Sequence, residues 1–238
     1  MKHPTLALTG IVKRFGDATI LDGLQLELPL SGITFIVGQS GSGKSVLCRL
    51  AVGLLKPDAG EVRLFGERVD RLPERRLSAL RARAPYLVQG PALLDWLSLL
   101  DNVALADPPS RRDGRAAQAL DGLGLSAFAH RRPPEVGPGI RKRAAIARAL
   151  VLRPEALLLD EPTTGLDREA AGQVNDALDR VRAQGVAVVL VSHDYPALAQ
   201  LADRVVEVKA GVIGYLGDAR GFSEMMQPGR GRHGREPS

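Results

Sequence analysis

The chain has 238 residues, 45% apolar and 25% charged, which is an ordinary globular composition with length for one large domain or two small ones. No apolar run approaches the roughly 18–20 residues of a membrane span. The opening MKHPTLALTG lacks the apolar core of a secretory signal, and the single cysteine, Cys48, excludes a disulfide framework and points to a reducing compartment. The net charge is +5, yet aromatic residues make up only 4%, too few to stack bases, so no nucleic-acid partner is expected.

In chain order, TLALTGIV and ILDGLQLEL predict antiparallel strands, and ITFIV predicts a short buried one. Helical patterning dominates from Glu74 to Leu150, interrupted by PYLVQGP and DPPSRRDG. From Glu155 the pattern is strand ALLLD, a helix over Arg168–Ala183, strand VAVVLV, a helix over Tyr195–Ala202, and two closing strands, RVVEVKA and VIGYLG. Buried strands alternating with amphipathic helices predict an α/β fold with a parallel sheet covered on both faces. The helical stretch, about 90–150, reads as an insertion into that sheet. One domain is expected over 1–226. The tail 227–238 is rich in Gly, Pro and Arg, has no apolar face, and reads as disordered.

The strand ITFIV runs into Gly38-Gln39-Ser40-Gly41-Ser42-Gly43-Lys44-Ser45, followed by Val46. This fits G-x-x-x-x-G-K-[ST] in the required setting of strand, loop and helix, and it predicts a nucleoside triphosphate site. Glycines let successive N–H groups turn inward on phosphate, and the helix from Lys44 adds its N-terminal dipole. Lys44 brings a positive charge to the β- and γ-phosphates, and Ser45 brings a hydroxyl to Mg²⁺. Further on, Ala156-Leu-Leu-Leu-Asp160-Glu161 reads as a buried strand delivering carboxylates to its C-terminal edge. Asp160 is expected to hold Mg²⁺ through water, and Glu161 to act on the attacking water as general base or positioning group.

With these motifs in order, the chain resembles the ATP-binding cassette (ABC) ATPases from about Leu6 to Gly217. Pro-Thr-Thr-Gly-Leu-Asp167 after Glu161 is similar to the family's D-loop. Val191-Ser-His193-Asp resembles its switch histidine. Gln89 stands at its Q-loop glutamine, which implies a catalytic and metal-contacting role, and Phe15 stands where an aromatic stacks on adenine. The resemblance implies a mixed sheet with an antiparallel β subdomain and an inserted helical subdomain. It also implies two chains clamping two ATP molecules head to tail, each between one chain's P-loop and the other's signature.

That signature, Leu-Ser-Gly-Gly-Gln in the family, falls at Val136-Gly-Pro-Gly-Ile140, which reads as a glycine-rich turn before a strong helix. Gly137 in place of serine removes a hydroxyl. Pro138 in place of glycine removes an N–H. Gly139 keeps its own N–H for the partner's ATP. Each lost charge-assisted bond costs about 1.5–3 kcal/mol, which implies weaker closure on ATP.

The interval from Lys44 to Asp160 leaves no room for a long coiled coil, and one P-loop argues against tandem ABC proteins. A transporter subunit serving separate membrane permease chains at the cytoplasmic membrane face is therefore expected. The stretch from Gln89 to Val103 resembles the ATPases of MCE-type lipid transporters, which implies a lipid cargo and an MCE-domain partner. Trp96 and Leu93 are candidates either to line a permease groove near Gln89 or to pack the insertion's core. A homodimer and a heterodimer both remain open. So do an ATP-hydrolysing motor and a regulatory subunit with weak hydrolysis.

Overall fold

In the computed structural model the described residues are 4–193 and 201–226. Strands β1 (Thr5–Phe15), β2 (Ala18–Pro29), β4 (Ala59–Leu64) and β5 (Glu67–Arg68) form an antiparallel sheet in the order β2-β1-β4-β5. The second sheet has the order β10-β9-β3-β8-β7-β6. Its members are β3 (Ile33–Val37), β6 (Tyr86–Leu87), β7 (Ala156–Asp160), β8 (Ala187–Val191), β9 (Arg204–Lys209) and β10 (Val212–Asp218). All its neighbours pair in parallel except β10, which is antiparallel to β9.

β3, β7 and β8 are buried along their whole length, because both faces of the sheet are covered. Their side chains alternate between two cores, as the two-residue period of a strand requires. Leu158, Val189 and Ile36 join the first core, shared with the antiparallel sheet and helix α1 (Lys44–Ala51). Leu157, Leu159, Val188, Leu190, Ile33 and Phe35 join the second. That second core is closed by α3 (Leu99–Ala104), α4 (Arg115–Gly122), α5 (Pro138–Leu150) and α6 (Arg168–Ala183). Helices α3, α4 and α5 lie between β6 and β7 in the chain, where the sequence predicted an insertion. Helix α2 (Glu74–Arg83) precedes β6, and α7 (Ala219–Met226) follows β10.

The helix predicted over Tyr195–Ala202 falls largely outside the described residues, and so does the tail 227–238. Strands β4 and β5 and helix α7 were not singled out from the sequence. Among the described residues, no helix is long and apolar enough to cross a membrane.

The turn expected across Gly137–Gly139 is instead the first turn of α5. Gly137 is its N-cap in extended backbone, and Pro138 is its first residue. Proline fits there because the first helical N–H has no intrahelical acceptor and the ring presets the helical φ. Gly139 is buried, and a Cβ on it would come 2.9 Å from the Cβ of Ala170 on α6. Close packing of two helices therefore demands glycine at this position.

Candidate functional site

The loop between β3 and α1 adopts conformations only glycine tolerates well. Gly38 has φ 148°, and an added Cβ would stand 2.2 Å from the carbonyl oxygen of Val208 on β9. Gly43, with φ 103°, is the N-cap of α1. Within the loop the Ser42 amide donates to the Gln39 carbonyl at 3.2 Å. The Ser42 hydroxyl oxygen is buried and has no partner among the described residues. Lys44 is itself buried, and its ammonium donates to the carbonyls of Gly38 and Gln39, at 2.8 Å each. Burial lowers the Lys44 pKa, while the carboxylates of Glu161 and Asp160 oppose that shift.

An open cleft of about 770 Å³ lies over this loop. Phe15 and Ile20 from the antiparallel sheet line one side, Ser40, Gly41, Gly43, Lys44, Ser45 and Val46 line the floor, and Glu161 and His193 close the other side. Phe15 is half exposed and lines the cleft, with the Lys13 ammonium 5.3 Å from its ring centre.

Asp160 ends β7 and is buried. Its Oδ1 accepts the Ser45 hydroxyl at 3.0 Å, and its Oδ2 accepts the Tyr86 hydroxyl at 2.6 Å. Two hard oxygens, the Ser45 Oγ lone pairs and an Asp160 carboxylate, thus lie together at the P-loop. This donor set suits Mg²⁺, which takes one or two protein oxygens and completes its shell with phosphate oxygens and water.

Glu161 follows with φ 50°, a left-handed conformation that a residue with a Cβ adopts at a cost and that recurs at functional sites. Both carboxylate oxygens are engaged. Thr164 donates its hydroxyl to Oε2 at 2.8 Å, and His193 Nδ1 lies 2.8 Å from Oε1. A carboxylate oxygen accepts, so Nδ1 carries the proton and Nε2 is the ring's other nitrogen at the cleft.

Gln89 is not in the cleft wall. Its residue is exposed, and its main-chain carbonyl accepts from the Lys142 ammonium. Lys142, on α5, also donates to the Glu161 carbonyl at 3.3 Å, so one side chain ties α5 to the loop after β6 and to the end of β7. Burial lowers its pKa, opposed by Glu161 and Asp160. Gly139 likewise lies outside this cleft. A second cavity, about 480 Å³, lies beside Gln89 and is lined by Val88, Pro91, Ala92, Ile146 and Arg148 among others. Neither Trp96 nor Leu93 lines it. Leu93 packs against the second core, and Trp96 is 69% exposed.

Sequence reasoning missed Tyr86, Thr164 and Lys142. Thr164 was within reach, being three residues after Glu161 in a tight turn. Tyr86 was not, because only the parallel register of β6 on β7 brings it to Asp160.

A strand–glycine loop–helix floor faced by a carboxylate–histidine pair defines a P-loop nucleotide site. The chain matches the family model described as ABC transporter over residues 21–164. It is 39% identical over 212 residues to the methionine import ATP-binding protein MetN of Mesorhizobium japonicum, covering 87% of this chain and 58% of that one. The chain therefore spans less than two thirds of that relative's length. It is 38% identical over 202 residues to the lipoprotein-releasing system ATP-binding protein LolD of Chromohalobacter salexigens, covering 82% and 85%. Among solved structures it resembles the dimeric ATP-binding cassette MJ0796 bound to ADP and Pi, with a TM-score of 0.79 and 28% identity over 91% of this chain and all of that one. The chain belongs to the ABC transporter family, as an ATP-binding domain.

Proposed function

We propose that this chain binds ATP with Mg²⁺ in the cleft over the P-loop, hydrolyses it, and powers a separate membrane permease from the cytoplasmic membrane face. The observation that carries the reading is the convergence, in one cleft, of the Gly38–Ser45 loop with the Glu161–His193 pair. Phe15 offers a face for adenine, with Ile20 and Val46 beside it. The N–H groups of Gln39 to Ser45 and the α1 dipole hold the phosphates. Lys44 lies on the cleft floor and would bring its ammonium to the phosphates. Ser45 and, through water, Asp160 would hold Mg²⁺, which would supply positive charge to offset that of the phosphates. Glu161, fixed by Thr164 and His193, orients the attacking water and accepts its proton. His193 Nε2 would be the ring nitrogen that contacts the terminal phosphate.

The intact Glu161–His193 pair speaks for a motor and against a regulatory subunit with weak hydrolysis. A two-chain assembly is part of the proposal, supported by the dimeric cassette the chain resembles. In that assembly Gly139 offers its N–H to the partner's ATP, and Gln89 and the cavity beside it meet the permease. The lipid cargo and MCE-domain partner rest on the sequence resemblance of the Gln89–Val103 stretch, with Ile140 and the residues after Val191 as lesser cues. The relatives' names divide among methionine import, aliphatic sulfonate import and lipoprotein release.

The test is ATP turnover by the chain assembled with its permease, compared with the same assembly carrying Lys44→Ala. Turnover is expected to disappear together with tight ATP binding. Equal turnover would end the reading.

A further inference from the structure

We propose that Tyr86 is a positioning residue for the divalent cation of bound nucleotide, holding the Asp160 carboxylate so that Oδ1 faces Ser45. The proposal rests on the nucleotide-site reading above and adds a residue that the loop motifs do not contain.

Three elements meet on this carboxylate. Ser45, in the first turn of α1, donates to Oδ1, and Tyr86, on β6, donates to Oδ2. Asp160 itself ends β7. Tyr86 pairs with Leu158, two residues before Asp160. Side chains two apart on a strand share a face, so the phenol lies on the Asp160 side and its length spans the diagonal. The 2.6 Å separation is that of a charge-assisted hydroxyl–carboxylate bond.

The phenol hydroxyl is the donor of this bond, since a carboxylate oxygen accepts. With Oδ2 occupied, the carboxylate has one oxygen left for the cation side, and that oxygen already accepts the Ser45 proton. Ser45 Oγ then keeps its lone pairs for a cation, its own proton being committed to Asp160. Removing the phenol hydroxyl frees the carboxylate to rotate and leaves Oδ2 buried beside an apolar ring. Partners of metal-holding carboxylates typically contribute roughly 10–100-fold to metal affinity. Here the cation keeps Ser45 and the phosphates, so the low end of that range applies.

The placement also joins the cation site to the permease-facing loop. Tyr86 lies three residues before Gln89, whose carbonyl is held by Lys142.

The experiment measures Mn²⁺ binding to the full chain with ATP, from the free-Mn²⁺ EPR signal, in wild type, Tyr86→Phe, Asp160→Asn and the double variant. ATP binding in EDTA is followed in parallel with a fluorescent ATP analogue. Tyr86→Phe is expected to weaken Mn²⁺ binding about tenfold and leave metal-free nucleotide binding unchanged. In the Asp160→Asn background, Tyr86→Phe is expected to add nothing, because its effect runs through that carboxylate. Unchanged Mn²⁺ affinity in Tyr86→Phe would overturn the proposal. So would an equal weakening in both backgrounds, or a parallel loss of metal-free binding, either of which would make Tyr86 a packing residue only. A wild-type chain that binds no nucleotide under any of these conditions would remove the functional reading, and this proposal with it.

Discussion

Asn102 offers a quantitative test of how the segment after Gln89 is held. It is fully buried on α3 and binds the loop before it at four points. Its Oδ1 accepts the Leu94 amide at 2.7 Å, and its Nδ2 donates to the carbonyls of Leu94, Leu97 and Ser98 at 3.0, 3.2 and 3.0 Å. Asn102→Ala removes all four and leaves backbone groups inside without partners. Three of the four share the two Nδ2 protons, so at about 0.5–1 kcal/mol for each the loss is about 2–4 kcal/mol. In a chain of this size each kcal/mol moves Tm by about 2–4 °C, so a fall of roughly 5–10 °C is expected. Trp96, in the middle of this loop, is the only tryptophan, so its fluorescence reports the loop directly. Its anisotropy should fall in Asn102→Ala at temperatures where circular dichroism is still native. A Tm within about 1 °C of wild type and unchanged Trp96 anisotropy would show that the loop is held by apolar packing, and the hydrogen-bond argument would be refuted.

Asp101 should carry an acid-dependent share of stability. The Ser98 hydroxyl first, and then Arg111, hold its carboxyl below the usual range. A carboxyl depressed in the folded state contributes stability that is complete above its unfolded pKa and is lost as pH falls through the folded value. The Tm gap between wild type and Asp101→Asn should therefore be present at neutral pH and close as the pH falls below the ordinary carboxylate range, and a gap constant with pH would contradict the assignment. In the proposed two-chain assembly, restoring donors with Gly137→Ser and Pro138→Gly should strengthen ATP-driven dimerisation of the Glu161→Gln variant by about tenfold, the effect of one charge-assisted bond. Indistinguishable dimerisation curves would mean that Gly137-Pro-Gly already grips the partner's nucleotide as well as the family's loop does.

The parts of the fold that were legible in the sequence carry local signals. Helix α6 was read over Arg168–Ala183 and is found there, because Asp167 caps it by accepting the Ala170 amide at 2.8 Å. The P-loop was legible because glycine spacing and its strand–helix setting are both written in consecutive residues. β4 escaped notice because its alternation is short and begins on the exposed Ala59 and Gly60, with its meaning supplied by pairing to the distant β1. The Gly137–Gly139 stretch was taken for a turn because glycine and proline there have two compatible readings, and only the approach of Ala170 selects the helical one. Glu161 and His193 were each legible as motif residues. Their shared hydrogen bond arises where β7 and β8, parallel neighbours in the sheet, end side by side. The contacts of Tyr86 and Lys142 are likewise products of register and helix packing between segments far apart in the chain.

The central claim is that Glu161 performs chemistry on ATP held by the P-loop, separately from binding it. The measurement that reaches it most directly is phosphate release and ATP affinity, recorded side by side for wild type and Glu161→Gln in the assembled transporter with Mg²⁺. Glutamine keeps the shape and an oxygen for Thr164, yet it cannot accept the proton of water. The account predicts that phosphate release falls by at least about a hundredfold, within the range for loss of a general base, while ATP affinity stays within a few-fold of wild type. Equal phosphate release by the two proteins would contradict it.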